Sequence, residues 1–189
     1  MTTNRKWLYA GAVLAALLQT GILYAGIEKR AAILRSGQDI VFQTEPVDPR
    51  DLMRGDYVVL GYEISNIARS AIQGVRPAGS RTVYVAVKPD AKGISRFSRA
   101  SFVPFKDLAA GETQIRGEAG YEISDDPEAN IRLSFGIERY YVPEGEGHPI
   151  EGSQREHDIT VLVAVDASGS PVIKALMDEG QPLYEGPLY

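Results

Sequence analysis

The sequence predicts a mostly β protein, with one N-terminal transmembrane helix followed by one antiparallel β-sandwich or partly open β-barrel domain. Three observations predict it. The run from Trp7 to Ile27 holds 21 residues and no charge. From Gln38 onward, short runs of Val, Ile, Tyr and Phe alternate with Gly, Pro and Asp clusters, which is typical of strands and turns. No strand–helix–strand alternation is visible, which favours antiparallel pairing.

Composition limits the function classes. The chain has 189 residues, and about 150 remain beyond the apolar run, which is the size of one domain. With 44% hydrophobic and 24% charged residues, it can bury a core without metals or disulfides. A net charge of -5 with scattered basic residues argues against nucleic-acid binding. The absence of cysteine excludes thiol catalysis and Cys-ligated zinc.

The apolar run fits an uncleaved membrane anchor. At about 1.5 Å per residue, it spans about 30 Å, the thickness of a bilayer hydrocarbon core. Its aromatic residues lie near the ends, where such rings prefer the membrane interface. The alternative is a cleaved secretory signal, but a cut after Ala25 puts Leu23 at a position that needs a small residue. We expect the helix to continue through Glu28–Ser36 and to stop at Gly37.

The orientation of the anchor is not decided by charge. Arg5 and Lys6 precede the span, while Lys29, Arg30 and Arg35 follow it. A very short tail before a globular domain is typical of a signal anchor with the domain outside. This predicts a cytoplasmic tail at 1–6, a transmembrane anchor at 7–27, a juxtamembrane helix at 28–37 and an extracytoplasmic β-rich domain at 38–189.

The soluble part predicts eight strands and two clear turns. The clearest hairpin joins two apolar runs through Asp166–Ser170, where Gly169 supplies a positive φ. Lys88–Gly93 is a second turn. Ile67–Gly74 is expected to be a short helix or a loose crossing, and Asp178–Tyr189 to be extended. The expected strands are Asp39–Thr44, Tyr57–Ser65, Arg81–Lys88, Arg99–Phe105, Thr113–Gly117, Ile131–Tyr141, Ile159–Val165 and Pro171–Met177.

The strand from Tyr57 has one apolar face. Because side chains alternate along a strand, Val58, Leu60, Tyr62 and Ile64 share one side. That side is more apolar than the other, which carries a glycine and a glutamate. We therefore expect these four side chains to face the core.

Acidic residues crowd the turn before that strand. Asp48, Asp51 and Asp56 lie there beside Arg50 and Arg54. Calcium binds several such oxygens, and paired carboxylates can serve as acid and base, although the EF-hand spacing is absent. The favoured interpretation is structural: the aspartates cap turn N–H groups and pair with the arginines.

A second cluster lies in the Gly-rich stretch Tyr140–Glu151. It contains His148, with His157 further on, and together with a carboxylate these could ligate zinc. Their nine-residue spacing matches no metal signature. An exposed acidic loop is the favoured interpretation, and such a loop could dock a partner.

The motif Gly55-Asp56-Tyr57-x-x-Leu60-x-Tyr62 resembles the one that names the GDYXXLXY family of bacterial membrane-anchored proteins. The preceding Pro46–Leu52 is similar to the family's lead-in, and Arg139–Gly145 followed by Glu151 is similar to its second block. The candidate interaction positions are therefore Asp48, Pro49, Arg50, Asp51, Gly55, Asp56, Tyr57, Leu60, Tyr62, Tyr140, Tyr141, Pro143, Glu144, Gly145 and Glu151.

The resemblance implies a single-pass protein of the bacterial inner membrane with a periplasmic or extracytoplasmic domain. It implies no established activity, and a polytopic membrane protein or other envelope protein as partner. Signal-peptidase-like folds also lead a Gly-Asp turn into an apolar strand, but here Val47, Asp48 and Asp51 stand where the nucleophilic serine would be. We therefore expect a non-enzymatic binding or accessory module without metal, cofactor or catalytic residues. The alternative is a metal-dependent or hydrolytic enzyme using Asp48, Asp51 and Asp56.

Overall fold

The computed structural model describes residues 3–45, 57–120, 123–141, 159–178 and 180–185. One long helix, α1 (Thr3–Ser36), precedes a mostly β domain in which short 3₁₀ helices cover Glu63–Ser65 and Arg69–Ala71. The strands are β1 Gln38–Gln43, β2 Tyr57–Val59, β3 Asn66–Ala68, β4 Ile72–Gln73, β5 Thr82–Pro89, β6 Ser95–Ser101, β7 Thr113–Ala119, β8 Asn130–Ser134, β9 Arg139–Tyr141, β10 Ile159–Val165, β11 Pro171–Asp178 and β12 Gln181–Glu185.

Helix α1 is exposed over most of its length. The stretch Arg5–Ser36 is long and apolar enough to cross a membrane, with a mean hydropathy of 1.7 over its most apolar window and none of that window buried. The helix continues beyond Ile27 and ends at Ser36, where the N–H of Gly37 donates to the Ile33 carbonyl at 2.7 Å. A Cβ at Gly37 would lie 2.6 Å from that carbonyl oxygen. The helix therefore stops where the backbone approach leaves room for glycine only.

The strands form three sheets that join into a nearly closed, barrel-like arrangement. Their orders are β1-β10-β11-β12, β2-β9 and β3-β8-β7-β5-β6-β4, and in the part of the chain that the structure describes, neighbouring strands are antiparallel except the two-residue β4–β6 pair. Single bridges connect the sheets: Val41 pairs with Ile94, and Glu45 pairs with Gly61. The mostly β fold class that the sequence predicts is confirmed.

The core is built from strand faces that alternate with exposed ones. β10 contributes Ile159, Val161, Val163 and Val165 to one continuous cluster. The predicted β10–β11 hairpin is present, with Gly169 at φ +85°. The Lys88–Gly93 turn is also present, because the Asp90 carboxylate accepts from the N–H groups of Lys92 (2.8 Å) and Ile94 (3.1 Å).

Three predicted strands were wrong in extent. Tyr57–Ser65 is a strand only to Val59, because Ser65 N–H closes a turn on the Tyr62 carbonyl at 2.9 Å. Ile131–Tyr141 divides into β8 and β9 at Gly136, whose φ is +79°. The strand expected at Arg99–Phe105 lies instead at Ser95–Ser101.

The sequence analysis did not predict three short strands. β3 and β4 occupy the stretch where a short helix or loose crossing was expected, and β12 lies in the extended end segment. Each contains five residues or fewer. β3 and β4 pair with strands that lie further along the chain, β8 and β6, whereas β12 pairs with β11 at the edge of its sheet. Local sequence pattern carries little signal for such pairs.

Candidate functional site

The structure brings the two motif blocks together as one antiparallel ribbon. β2 and β9 pair residue by residue: Tyr57 with Tyr141, Val58 with Tyr140, and Val59 with Arg139. The 79 residues from 60 to 138 separate these strands in the chain, so the ribbon forms only when the domain closes. The described parts of the motif therefore belong to one structural unit.

The apolar face predicted for this segment is confirmed. Val58, Leu60, Tyr62 and Ile64 are all buried, whereas Glu63 is exposed. The last two motif letters, Leu60 and Tyr62, thus serve packing. The motif residue before them, Tyr57, pairs with Tyr141 in the β2–β9 ribbon.

Both the ring and the hydroxyl of Tyr62 make contacts in the core. Its ring packs edge-on against Phe42, with 5.7 Å between ring centroids. Its hydroxyl donates to the Ile137 carbonyl at 2.7 Å, which satisfies a polar group in the core. Burial, with a smaller contribution from the negative charge of Glu138, raises the pKa of Tyr62 well above its ordinary value. The hydroxyl therefore stays a neutral donor.

Glu138 fixes the turn between β8 and β9 against which Tyr62 rests. Its carboxylate accepts from the Ser134 hydroxyl at 3.1 Å, from the Gly136 N–H at 3.0 Å and from the Phe135 N–H. Its backbone carbonyl accepts from the Leu60 N–H at 2.9 Å. The sequence analysis missed this residue; an acid two positions after a turn glycine is the signal that could have found it.

Arg96 ties the end of the motif segment to two other elements. Its guanidinium donates to Glu63 at 2.9 Å, to Asp90 at 3.3 Å and to the Gln43 side-chain oxygen at 3.1 Å. The backbone N–H of Lys92 and the other donors around Asp90, Arg96 among them, lower the pKa of that carboxyl. The sequence analysis missed Arg96 too, because its partners lie on three separate segments.

Several predicted site residues lie outside the described residues. They are Asp48, Pro49, Arg50, Asp51, Gly55, Asp56, Pro143, Glu144, Gly145 and Glu151, together with the two histidines, His148 and His157. Their roles, including the alternative cation site or acid pair, stay predictions. Within the described part of the chain, no group of three or more Asp, Glu or His side chains is placed to hold a metal ion.

The described residues that border the segments 46–56 and 142–158 lie side by side. At one pair of ends, Thr44 N–H donates to the Ile159 carbonyl at 2.9 Å. At the other pair, Tyr57 faces Tyr141. Tyr141 is 71% exposed, so the ribbon presents an aromatic side chain to solvent at this end.

A long apolar helix precedes a mostly β, barrel-like domain that contains the β2–β9 ribbon, and this architecture defines the class of protein. The chain belongs to the GDYXXLXY protein family, whose profile matches residues 19–176. The match begins inside α1 and extends through most of β11, so it covers the second half of the helix and every strand from β1 to β10. No curated protein and no solved structure gives a significant match to this chain.

Proposed function

We propose that this chain is a single-pass protein of the bacterial inner membrane whose extracytoplasmic β domain is a non-enzymatic binding or accessory module. Its partner is a polytopic membrane protein or another envelope protein. The observation that carries the proposal is the position of the motif side chains in the fold. Leu60 and Tyr62 pack in the core, and they hold in place a ribbon that exposes the aromatic Tyr141 as well as Arg139.

The ribbon supports recognition by its construction. An exposed tyrosine ring offers a large, rigid contact surface at low entropic cost. Its neighbour Tyr140 is buried and pairs with Val58, so the strand that carries Tyr141 is fixed before any partner arrives. Preorganisation of this kind improves affinity by lowering the ordering cost of binding.

The helix supports membrane anchoring. Its exposed side chains from Trp7 to Ile27 are almost all apolar. An apolar surface of this length is unfavourable in water and is typical of a membrane-interacting segment. The bilayer removes that surface from water. The family match includes only residues 19–27 of this span, so the proposal of an anchor rests on the length and apolar surface of the helix.

The partner proposal is tested with a photo-crosslinker in native membranes. We expect Tyr141→p-benzoylphenylalanine to give one adduct of defined mass that contains a membrane or envelope protein. Val75→p-benzoylphenylalanine is the matched control, because Val75 is 88% exposed and lies outside the ribbon. No adduct at Tyr141, or the same adducts at both positions, would contradict the proposal.

The orientation is tested by labelling, since the natural chain has no cysteine. We expect Glu45→Cys to react with a membrane-impermeant maleimide when the outer membrane is opened and the inner membrane is left intact. Thr3→Cys, on the short N-terminal side, should react only after the inner membrane is permeabilised. The reverse pattern would place the domain in the cytoplasm.

A further inference from the structure

The end of α1 is packed against the β domain. Ile33 is buried against Ala164 and Val172, and Leu34 adds to this small cluster. The side chains of β10 that point the other way, such as Val163, belong to the main core. The helix end therefore lies on the outer face of the four-stranded sheet, close to the β10–β11 hairpin.

The tip of that hairpin lies near Lys29. Lys29 is one turn before Ile33, about 6 Å along the helix axis, and Ile33 packs beside Ala164, two residues before Asp166. Burial tends to raise the pKa of Asp166, but hydrogen bonds from Ser168 and Ser170, with a smaller contribution from the positive charge of Lys29, lower it. Ile27, two residues earlier, is the last residue of the apolar run. The tip thus lies where the apolar surface of the helix ends.

The tip is rigid. The Asp166 carboxylate accepts from the backbone N–H groups of Ser168 and Ser170, both at 2.8 Å. The Gly169 carbonyl accepts from the N–H of Arg116 on β7 at 2.7 Å. The hairpin tip is therefore fixed to the barrel as well as to itself.

The chain after the helix runs away from that tip. A Cβ on Gly37 would lie 3.1 Å from the Ala164 Cβ, so the turn out of the helix is pressed against β10. β1 then pairs antiparallel with β10, from Gln38 opposite Val165 to Gln43 opposite Thr160. At about 3.3 Å per residue, Glu45 lies about 23 Å beyond Gln38 along this direction.

We infer that the hairpin tip Asp166–Ser170 lies in the lipid headgroup layer, and that the domain is held on the bilayer with its Glu45 end pointing away. The surface that the tip meets is the membrane itself. The inference rests on the anchoring proposed above. It adds that no linker separates the span from the domain. Glu45 forms an antiparallel bridge with Gly61, and Tyr57, four residues before Gly61, pairs with Tyr141, so Tyr141 lies on the Glu45 side, away from the bilayer.

The test measures depth on the full chain in phospholipid vesicles. A fluorophore is attached at Ala167→Cys, which is exposed at the tip, or at Glu45→Cys, which is exposed at the opposite end. Vesicles carry a nitroxide quencher on the lipid headgroup. We expect several-fold stronger quenching at position 167 than at position 45, and equal quenching in vesicle-bound protein would overturn the inference.

A third variant separates the causes. Ile33→Asp puts a charge into the Ala164–Val172 contact, so the quenching at position 167 should fall towards that at position 45 while the protein still floats with the vesicles. Unchanged quenching would overturn the role of helix docking in placing the tip. A chain that does not float with vesicles would refute the anchoring itself, an outcome distinct from equal quenching. Circular dichroism checks that each variant keeps its β structure.

Discussion

Two segments of the domain, the motif segment Val58–Ile64 and the loop 102–112 between β6 and β7, are fixed by opposite means. The motif segment is held by burial, since its four alternate apolar side chains lie in the main core. The loop is held by polar contacts around one carboxylate, Glu112. That side chain is only 5% exposed and accepts from Arg99 at 2.8 Å, from the Ser98 hydroxyl at 2.7 Å and from the Ala109 N–H at 2.9 Å.

Arg99 completes this polar clamp. Its guanidinium lies over the Phe105 ring, 4.5 Å from the centroid, and donates to the Asp107 carbonyl at 2.6 Å. The buried motif side chains and the clamp therefore contribute stability that responds to different conditions. Burial is insensitive to pH, whereas the clamp depends on the charge of Glu112.

The largest effect is expected in the motif segment. Leu60→Ala should lower the free energy of unfolding by about 3 kcal/mol, because it removes buried methyl groups and leaves a cavity in a packed core. Urea unfolding of the detergent-solubilised chain, followed by circular dichroism, measures it. A loss below about 1 kcal/mol would mean that the core relaxes around the site.

The clamp should show the next effect. Glu112→Gln should cost about 2 kcal/mol at neutral pH, because the charge that accepts from Arg99 is lost. The hydrogen bond from Arg99, with those from Ser98 and Ala109, lowers the pKa of Glu112 to about 2. Since the folded pKa is depressed, this stability is present above the unfolded pKa and is lost as pH falls towards 2.

The same variant gives the pH control. The difference in unfolding free energy between the natural chain and Glu112→Gln should shrink as the pH falls from about 4.3 towards 2. Leu60→Ala should keep a constant difference over that range. A constant difference for both variants would contradict the charge-dependent account of the clamp.

A smaller effect is expected for the hydroxyl of Tyr62. Tyr62→Phe keeps the ring against Phe42 but leaves the Ile137 carbonyl without its 2.7 Å donor. The cost of such an unsatisfied buried acceptor is about 1–2 kcal/mol. Thermal unfolding in detergent at neutral pH measures the loss, and an unchanged midpoint would show that water replaces the hydroxyl.

The smallest effect is expected on the outer side of the ribbon. Val59→Ala removes a half-buried side chain from the face opposite to Val58 and Leu60. We expect a loss of about 0.5 kcal/mol or less, in the range of partly exposed substitutions. A loss as large as that of Leu60→Ala would mean that both faces of β2 are structural.

The sequence predicted the features that local pattern encodes. The charge-free run predicted α1, alternation predicted the buried face from Val58 to Ile64, and Gly169 predicted the hairpin turn. Burial on one face imposes each of these patterns on neighbouring residues, so a short window reveals them. The motif letters also identified the family.

The missed features depend on partners distant in the chain. β6 is polar along much of its length and is a strand because β4 and β5 pair with it on both sides. Arg96 looks like an ordinary surface charge in the sequence, and its role comes from Gln43 and Glu63, which the fold places beside it. No pattern within one segment contains that information.

The pairing of β1 with β10 has a consequence for synthesis. The bond between Thr44 and Ile159 joins residues that are 115 positions apart. At 5–20 residues per second, β1 waits roughly 6–23 s for its partner to be made. During that time its edge is unpaired and the cluster on which Ile33 packs does not exist. The helix is thus made well before the surface on which its end packs, and the barrel closes last, when the β10–β11 hairpin arrives.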